Sequence, residues 1–306
     1  MDDLILHHYD PSPFSEKIRL VLGFKQLGWR SVIVPMVLPK PELMPLTGGN
    51  RRTPVLQIGA DIYCGTSLIA AELERRYPEP TIYPERSRGL CEMLSLWADQ
   101  LLFVSSSNYA IREVSHLPKN FYRDRAAMRG HAPVDRERLR AEAPHHLEQL
   151  QLHLGFAEQT LSDDRPYLLG SSPSIADFSA YARLWWAQLF GGEQGELTAL
   201  PRVEDWRRRI ATIGHGRRQE MTPRQALDIA RAASPIAPRH TARSTNVAPG
   251  DRISMATEGF GPDPVQGEVV GVDEEAIALR RFDDTVGEVI MHLPRLGYRV
   301  RQGTPA

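Results

Sequence analysis

Cysteine is nearly missing from this chain: 306 residues hold two, Cys64 and Cys91, with no C-x-x-C pair. A disulfide framework is excluded as the source of stability, and the usage fits a reducing, cytoplasmic setting. Long apolar runs are also missing, and none approaches the roughly 20 residues that span a bilayer. The opening MDDLIL has neither a basic leader nor a cleavage site, so export and membrane attachment are not expected. Net charge is small, −1, which excludes a molecule that binds nucleic acid through overall charge. The charge is uneven, however: residues 202–243 carry ten Arg against two Asp and two Glu, a local +6. What remains is ordinary for a water-soluble globular chain, 42% hydrophobic and 25% charged, with length for two or three domains.

Residues 1–80 alternate between strand and helix patterns. Leu4–His8 reads as a strand, and Asp10-Pro11 as a turn. Pro13 to about Leu27 reads as a helix, with Pro13 suiting the first turn and Gly28 the exit. Ser31–Val37 is β-branched, and Pro35 inside it predicts an edge strand. Pro54–Ile58 and Ile62–Cys64, joined at Gly59-Ala60-Asp61, form a hairpin signal, and Thr66-Ser67 opens another helix. Residues 86–214 show helical periodicity throughout, with long segments at 135–161 and 174–190 and a further helix at 203–213. Residues 215–248 read as a helix over 222–233 followed by a linker. From 249 to 302 the period changes to short alternating segments divided by Gly, Pro and Asp, as in a small all-β, barrel-like domain.

The hydroxyl of Ser12 sits where a strand hands over to a helix. Unpaired N–H groups and a partial positive charge gather at such a point, so an anion or thiolate placed there is stabilised. Taken locally, serine before proline is an ordinary N-cap. Three motifs in order give it a second meaning. Ser12-Pro13-Phe14 follows the first strand, Arg52-Thr53-Pro54-Val55 precedes the third, and Ser174-Ile175-Ala176-Asp177 follows Tyr167-Leu168-Leu169-Gly170. Together they resemble the glutathione transferases, over residues 1 to about 214. The resemblance implies an α/β thioredoxin-like N-terminal domain, an all-α helical bundle domain, and a homodimer built from contacts between unlike domains. It does not require residues 215–306.

It also implies roles. Ser12 would donate a hydrogen bond to the sulfur of glutathione, which serves as co-substrate; Tyr9 is the second candidate for that task. One such charge-assisted bond plus the helix terminus is worth about one to two units of thiol acidity, at about 1.4 kcal/mol per unit. Pro54 would be cis and would present the backbone of Val55 to the peptide. Thr66 and Ser67 would hold the γ-glutamyl carboxylate at a helix start. The family usually has an acid or Gln just before this serine; Thr66 is shorter and uncharged, which weakens one anchor. Arg51 and Arg52 would bind the glycyl carboxylate or solvate a loop.

The pocket for an electrophilic small molecule would be lined by Phe14, Trp97, Leu101, Asn108 and Tyr109, most of which also fit a helical core. His7 and His8 read as a strand end and a surface residue. His145, His146 and His153 read as a solvated face, and no metal is expected. Cys64 reads as a small core residue. Ser174 and Asp177 form a capping box. The β-rich region has few aromatics (Phe260, Phe282, Tyr298) and several acids, so nucleic-acid binding is not expected of it. Two functions from different classes follow. One is an enzyme that adds glutathione to an electrophile. The other is a non-catalytic scaffold whose C-terminal barrel binds a protein or RNA.

Overall fold

A computed structural model describes residues 3–113, 117–118, 120–130, 136–191, 200–236, 246–258 and 264–303. The first layer runs β1 (Ile5–His8), α1 (Pro13–Phe24), β2 (Gly28–Ile33), α2 (Met44–Thr47), β3 (Val55–Ile58), β4 (Asp61–Cys64) and α3 (Thr66–Arg76). β1 is parallel to β2 and antiparallel to β3, which pairs with β4. Successive side chains of β1 serve opposite faces, as strand geometry requires. Leu4 and Leu6 pack with α1, α3 and the helical region, whereas Ile5 joins a second core on the far side. α1 starts as its sequence dictates: Ser12 Oγ accepts from Ser15 N–H at 3.2 Å, and Pro13 takes the first turn. It stops four residues before Gly28, with Gln26 at φ 52° turning the chain and Gly28 already in β2.

The helical region comprises α4 (Arg88–Trp97), a π-helical turn (Ala98–Leu102), α5 (Phe103–Ala110), α6 (Phe121–Arg129), α7 (Arg136–Thr160), α8 (Ile175–Gly191) and α9 (Pro201–Ala211). α8 packs on α1, α4 and α5 and is the spine of the bundle. Asp177 anchors its start. The carboxylate accepts from Leu168 N–H, Ser174 N–H, the Ser174 hydroxyl and the Trp206 indole N–H, at 2.6–2.9 Å. Among the described residues no helix is long and apolar enough to cross a membrane.

After α9 come β5 (Arg217–Glu220), α10 (Pro223–Ala232), β6 (Arg252–Thr257), β7 (Val265–Val272), β8 (Ala276–Asp283), β9 (Gly287–Pro294) and β10 (Tyr298–Gln302). The β-rich C-terminal region forms as the alternation predicts, but it does not stand apart. The strands among the described residues make one ten-stranded sheet, ordered β10-β6-β7-β8-β9-β4-β3-β1-β2-β5. β9 runs parallel to β4, with Asp61, Ile62 and Tyr63 opposite Ile290, Met291 and His292. Two side-chain contacts seal that seam: His292 Nε2 lies 2.8 Å from Asp61 Oδ1, and its ring stacks on Tyr63 at 4.3 Å. An open edge of β4 invites such pairing, and the outermost strands resist it by charge, reading RRQE in β5 and YRVRQ in β10.

Two further expectations change. β2 is not an edge: β5 pairs parallel to it, and Pro35 lies beyond its end. β5 was not foreseen, because RRQE lacks apolar alternation. A close backbone approach places it instead. A Cβ on Gly23 would meet Gly214 O at 2.0 Å, and one on Gly216 would meet Leu27 O at 2.5 Å. α10 forms where Thr222-Pro223 predicts, with Thr222 and Gln225 in a reciprocal capping box. Its Ala226, Leu227 and Ala230 cover the second face of the sheet together with Val269, Leu279 and Met291. The linker expected over 234–249 falls largely outside the described residues.

Candidate functional site

A cavity of about 390 Å³ opens where the first layer, the helical region and the C-terminal strands meet. The first layer contributes Tyr9, Pro11, Pro13 and Phe14 at the mouth of α1. It adds Arg52, Thr53 and Pro54 before β3, and Gly65, Thr66 and Ser67 at the start of α3. The Thr53–Pro54 peptide is cis. Gly65 caps α3 at φ 92° without any side-chain cap, so the first N–H groups of that helix depend on what fills the cavity. The opposite wall is apolar: Phe14 meets Phe103 edge to face at 4.9 Å, and Ile111, Phe121 and Trp186 extend the surface.

The cavity gathers several of the residues singled out from sequence and leaves others elsewhere. Tyr9, Phe14, Arg52, Pro54, Thr66 and Ser67 line it. Ser12 is fully buried and is not part of the wall; its hydroxyl accepts the Ser15 N–H as the cap of α1. Val55 is also fully buried, its side chain in the second core. Arg52 donates from Nη2 to the Thr257 hydroxyl of β6, so it ties the C-terminal strands to the site.

Of the five residues expected in the electrophile pocket, only Phe14 lines the cavity. Trp97 Nε1 donates to His153 at 3.2 Å, and Asn108 bonds His146 at 3.3 Å, both toward α7. Leu101 is exposed, and Tyr109 is buried with the Arg112 guanidinium 3.7 Å from its ring centre. The residues that do face the cavity are Gln100, Phe103, Ser107 and Ile111, with Asp99 beside them. Gln100 and Ser107 each sit one residue before the expected 101 and 108, a rotation of about 100°. Periodicity gives the stripes of a helix but not which stripe meets a neighbouring domain, and the π-helical turn at 98–102 shifts the phase again.

Sequence reasoning missed two basic groups and one acid. Lys40, 3% exposed, holds its ammonium 5.6 Å from the centre of the Tyr9 ring. Burial, with the Arg125 and Arg51 cations nearby, pushes this amine down to about 7. Arg125 of α6 donates to the Tyr9 hydroxyl at 3.2 Å and to Met36 O at 2.9 Å. Arg125 and Arg51 both pair with Asp124, each at 2.5 Å. Asp99 joins Lys17 of α1 at 2.9 Å and Arg183 of α8 at 2.7 Å. Burial alone would raise the Asp99 carboxyl, yet the two cations outweigh it and hold it below the usual range. Nothing in a lone lysine within PKPE, or in Asp99 mid-helix, marks these residues in the sequence.

The histidines next to the site are structural. His8 is fully buried rather than on the surface, bonded to Ser31, with its imidazole pushed down to about 3 by burial and the Arg19 cation. His7 is bonded to Gln57 and pushed down to about 4 by burial. Burial likewise raises the Cys64 thiol to about 12, which keeps it protonated at neutral pH. Among the described residues no three His, Cys, Asp or Glu side chains come together as a metal site.

Comparison with known proteins matches both halves of this arrangement. Residues 6–81 match the model of the glutathione S-transferase N-terminal domain, and residues 132–209 that of the C-terminal domain. A GST-like protein from Pseudomonas syringae of known crystal structure is 35% identical, with 99% of this chain and all of that one covered at a TM-score of 0.76. This chain belongs to the glutathione S-transferase-like family. The likeness to the Pseudomonas protein covers the C-terminal strands as well. FtsZ-localized protein A of Caulobacter vibrioides is 27% identical over 191 residues, 61% of this chain and 78% of that protein. A glutathione S-transferase of Rhodospirillum rubrum shares the fold at 23% identity and a TM-score of 0.55, with 68% of this chain and 88% of that one covered.

Proposed function

We propose that this protein is a thiol transferase of the glutathione type, which activates a peptide thiol and adds it to an apolar electrophile. The observation that carries the reading is a single cavity with two unlike walls. One wall offers polar hydrogens from Tyr9, the uncapped start of α3 and the buried Lys40 ammonium; the other is the aromatic surface of Phe14, Phe103 and Trp186. The peptide's two carboxylates belong at α3 (Thr66, Ser67) and at Lys40 with Arg125, and cis-Pro54 presents the intervening backbone near Val55. The electrophile belongs against the aromatic wall. Tyr9 is the better donor to sulfur. Its oxygen already accepts from Arg125, so its own proton is left for the thiolate. Ser12 is the second candidate, behind the cavity surface as the α1 cap. The enzyme acts in the cytoplasm as a homodimer, for which the exposed Leu90, Met93, Leu101 and Val104, along α4, the π-helical turn and α5, offer an apolar face.

Conjugation of glutathione to 1-chloro-2,4-dinitrobenzene tests the assignment. Tyr9→Phe is expected to lose more than tenfold in kcat/KM, at least about 1.4 kcal/mol of transition-state stabilisation. Ser12→Ala is expected to lose about 1 kcal/mol of folding stability, as N-caps do, with a smaller kinetic effect. Equal rates for Tyr9→Phe and wild type would refute the donor role of Tyr9. A second reading, a scaffold without catalysis that docks a protein partner, is favoured by the likeness to FtsZ-localized protein A of Caulobacter and by the burial of Ser12. Protein that conjugates no electrophile yet binds FtsZ would support it.

A further inference from the structure

We propose that β10 is a docking edge that takes an extended, acidic segment of a partner protein as a further strand of the sheet. The proposal is independent of whether the cavity conjugates a thiol. β10 ends the sheet and is paired on one side, with β6. The ladder between them fixes which way its backbone faces. Glu258 N–H donates to Gly297 O at one end, and Gly303 N–H donates to Arg252 O at the other. Hydrogen-bonded and non-bonded pairs alternate in an antiparallel ladder, so Arg299 and Arg301 turn their N–H and C=O groups toward β6. Tyr298, Val300 and Gln302 turn theirs outward, where no strand among the described residues meets them. Such a row of open donors and acceptors is a template for strand addition.

Side-chain charge says what is added. β10 carries Arg299 and Arg301 and no acid. The register sets both on the same face of the sheet as Arg252 of β6. All three are exposed, and none makes an ion pair or side-chain hydrogen bond among the described residues. The acids further in on that face, Glu268 and Glu288, both lie beside Arg280, at 3.6 and 3.8 Å, and Glu258, just past β6, pairs with none of the three. The opposite edge of the sheet differs. In β5, Arg218 pairs with Asp10 and Glu220, and Arg217 donates to Gln26 O, so its charge is already used. An acidic strand beside β10 would bring every second side chain alongside Arg299 and Arg301, an opposite-charge cross-strand pair at each. A second copy of this chain is disfavoured, because antiparallel β10 strands meeting at Val300 would set Arg299 of one against Arg301 of the other.

Fluorescence anisotropy of the full chain with a labelled heptapeptide of alternating Glu and Val tests this. Three control probes accompany it: a Lys–Val peptide of equal length, the Glu–Val peptide N-methylated throughout, and a single-stranded oligothymidylate. The Glu–Val peptide is expected to bind, and each control to bind about tenfold more weakly or worse. Arg299→Glu combined with Arg301→Glu is expected to weaken the Glu–Val peptide about tenfold and to favour the Lys–Val peptide. Val300→Pro removes an outward N–H but no bond to β6, and is expected to weaken the Glu–Val peptide about fivefold. Equal binding of the N-methylated peptide to wild type shows attraction by charge without strand pairing and overturns the proposal. So does tighter binding of the oligothymidylate, which makes the edge a nucleic-acid surface. Glu–Val binding that survives the double Arg substitution overturns it too, by placing the peptide elsewhere. No binding of the Glu–Val peptide at all overturns the proposal and leaves the thiol chemistry of the cavity untouched.

Discussion

Asp99→Asn tests how the two halves of the molecule are held together beside the cavity. The carboxylate bridges Lys17 on α1 and Arg183 on α8, both with side chains at most 1% exposed. Among the described residues it is the sole acceptor for Arg183, whose Nε and Nη1 find no hydrogen-bond partner there and whose guanidinium lies 3.9 Å from the Phe14 ring centre. Asparagine keeps the shape and one acceptor oxygen but removes the charge, leaving two dry cations uncompensated. Breaking a buried ion pair from one side costs about 3–5 kcal/mol. At a urea slope of about 1–3 kcal/mol/M, the midpoint falls by about 1 M or more. Urea unfolding followed by tryptophan fluorescence measures it. A second variant separates charge from packing. Lys17→Met, Asp99→Leu and Arg183→Met combined remove the whole triad and should recover most of the loss, because apolar replacement of a complete buried ionic group is often neutral or better. Since the folded Asp99 carboxyl is depressed, its contribution is present above the unfolded carboxylate range and lost as pH falls through the folded value. A loss below about 1 kcal/mol in Asp99→Asn, or a triple variant no more stable than the single, refutes the reasoning.

Lys40 and Gly65 give two further tests. The Lys40 amine falls from its usual 10.5 to about 7 in the folded protein. Below that value both states are protonated and the burial penalty stands; stability then rises as pH climbs toward the unfolded value. Lys40→Met should therefore be more stable than wild type at pH 6, and should flatten the rise between pH 7 and 10, as measured by urea midpoints. Identical pH slopes in the two proteins would contradict this. Gly65→Ala places a Cβ 2.7 Å from Pro294 at φ 92°, a conformation nearly reserved for glycine. A cost of about 1–3 kcal/mol is expected in thermal melts, and a change under about 0.5 kcal/mol would show that the corner yields freely.

Local signals account for what the sequence revealed. Pro13 after Ser12 marks the start of α1, Thr222-Pro223 that of α10, and Ser174 with Asp177 that of α8. Each of these acts within a few residues, so each is readable in one dimension. β5 is invisible in the sequence because its partner is a backbone 189 residues away (217 − 28), approached through glycines rather than through apolar side chains. The facing of α4 and α5 is not legible in the sequence, because the 3.6-residue period fixes a stripe but not its rotation toward another layer. Lys40, Asp99 and Arg125 converge from three separate elements, and no spacing connects them. Alternation predicted the C-terminal strands, but whether they close on themselves or join a free edge elsewhere depends on the exposure of β4, which is a property of the finished sheet.

That last point changes how the rival functions can be told apart. A scaffold reading framed on sequence treats the β-rich region as a module that works by itself, to be cut away and tested alone. In the folded chain β9 is hydrogen-bonded to β4, Arg52 reaches Thr257, and Pro294, Leu296 and Tyr298 are walls of the same cavity as Ser67. Removing residues 249–306 would expose the β4 edge and uncover Gly65 and Arg52 together, so the loss of activity in a truncation would carry no information about the role of the region. A ligand in the cavity touches the corner after β9, and anything that moves β9 moves that corner. Coupling between the two has an equal size in either direction. If a partner docks on the C-terminal strands and shifts the corner, its affinity changes when the cavity is filled, by the same factor that it changes the affinity of the thiol. Partner binding measured with and without saturating thiol on intact protein is therefore the informative comparison, and a shift in one constant without the matching shift in the other is thermodynamically excluded.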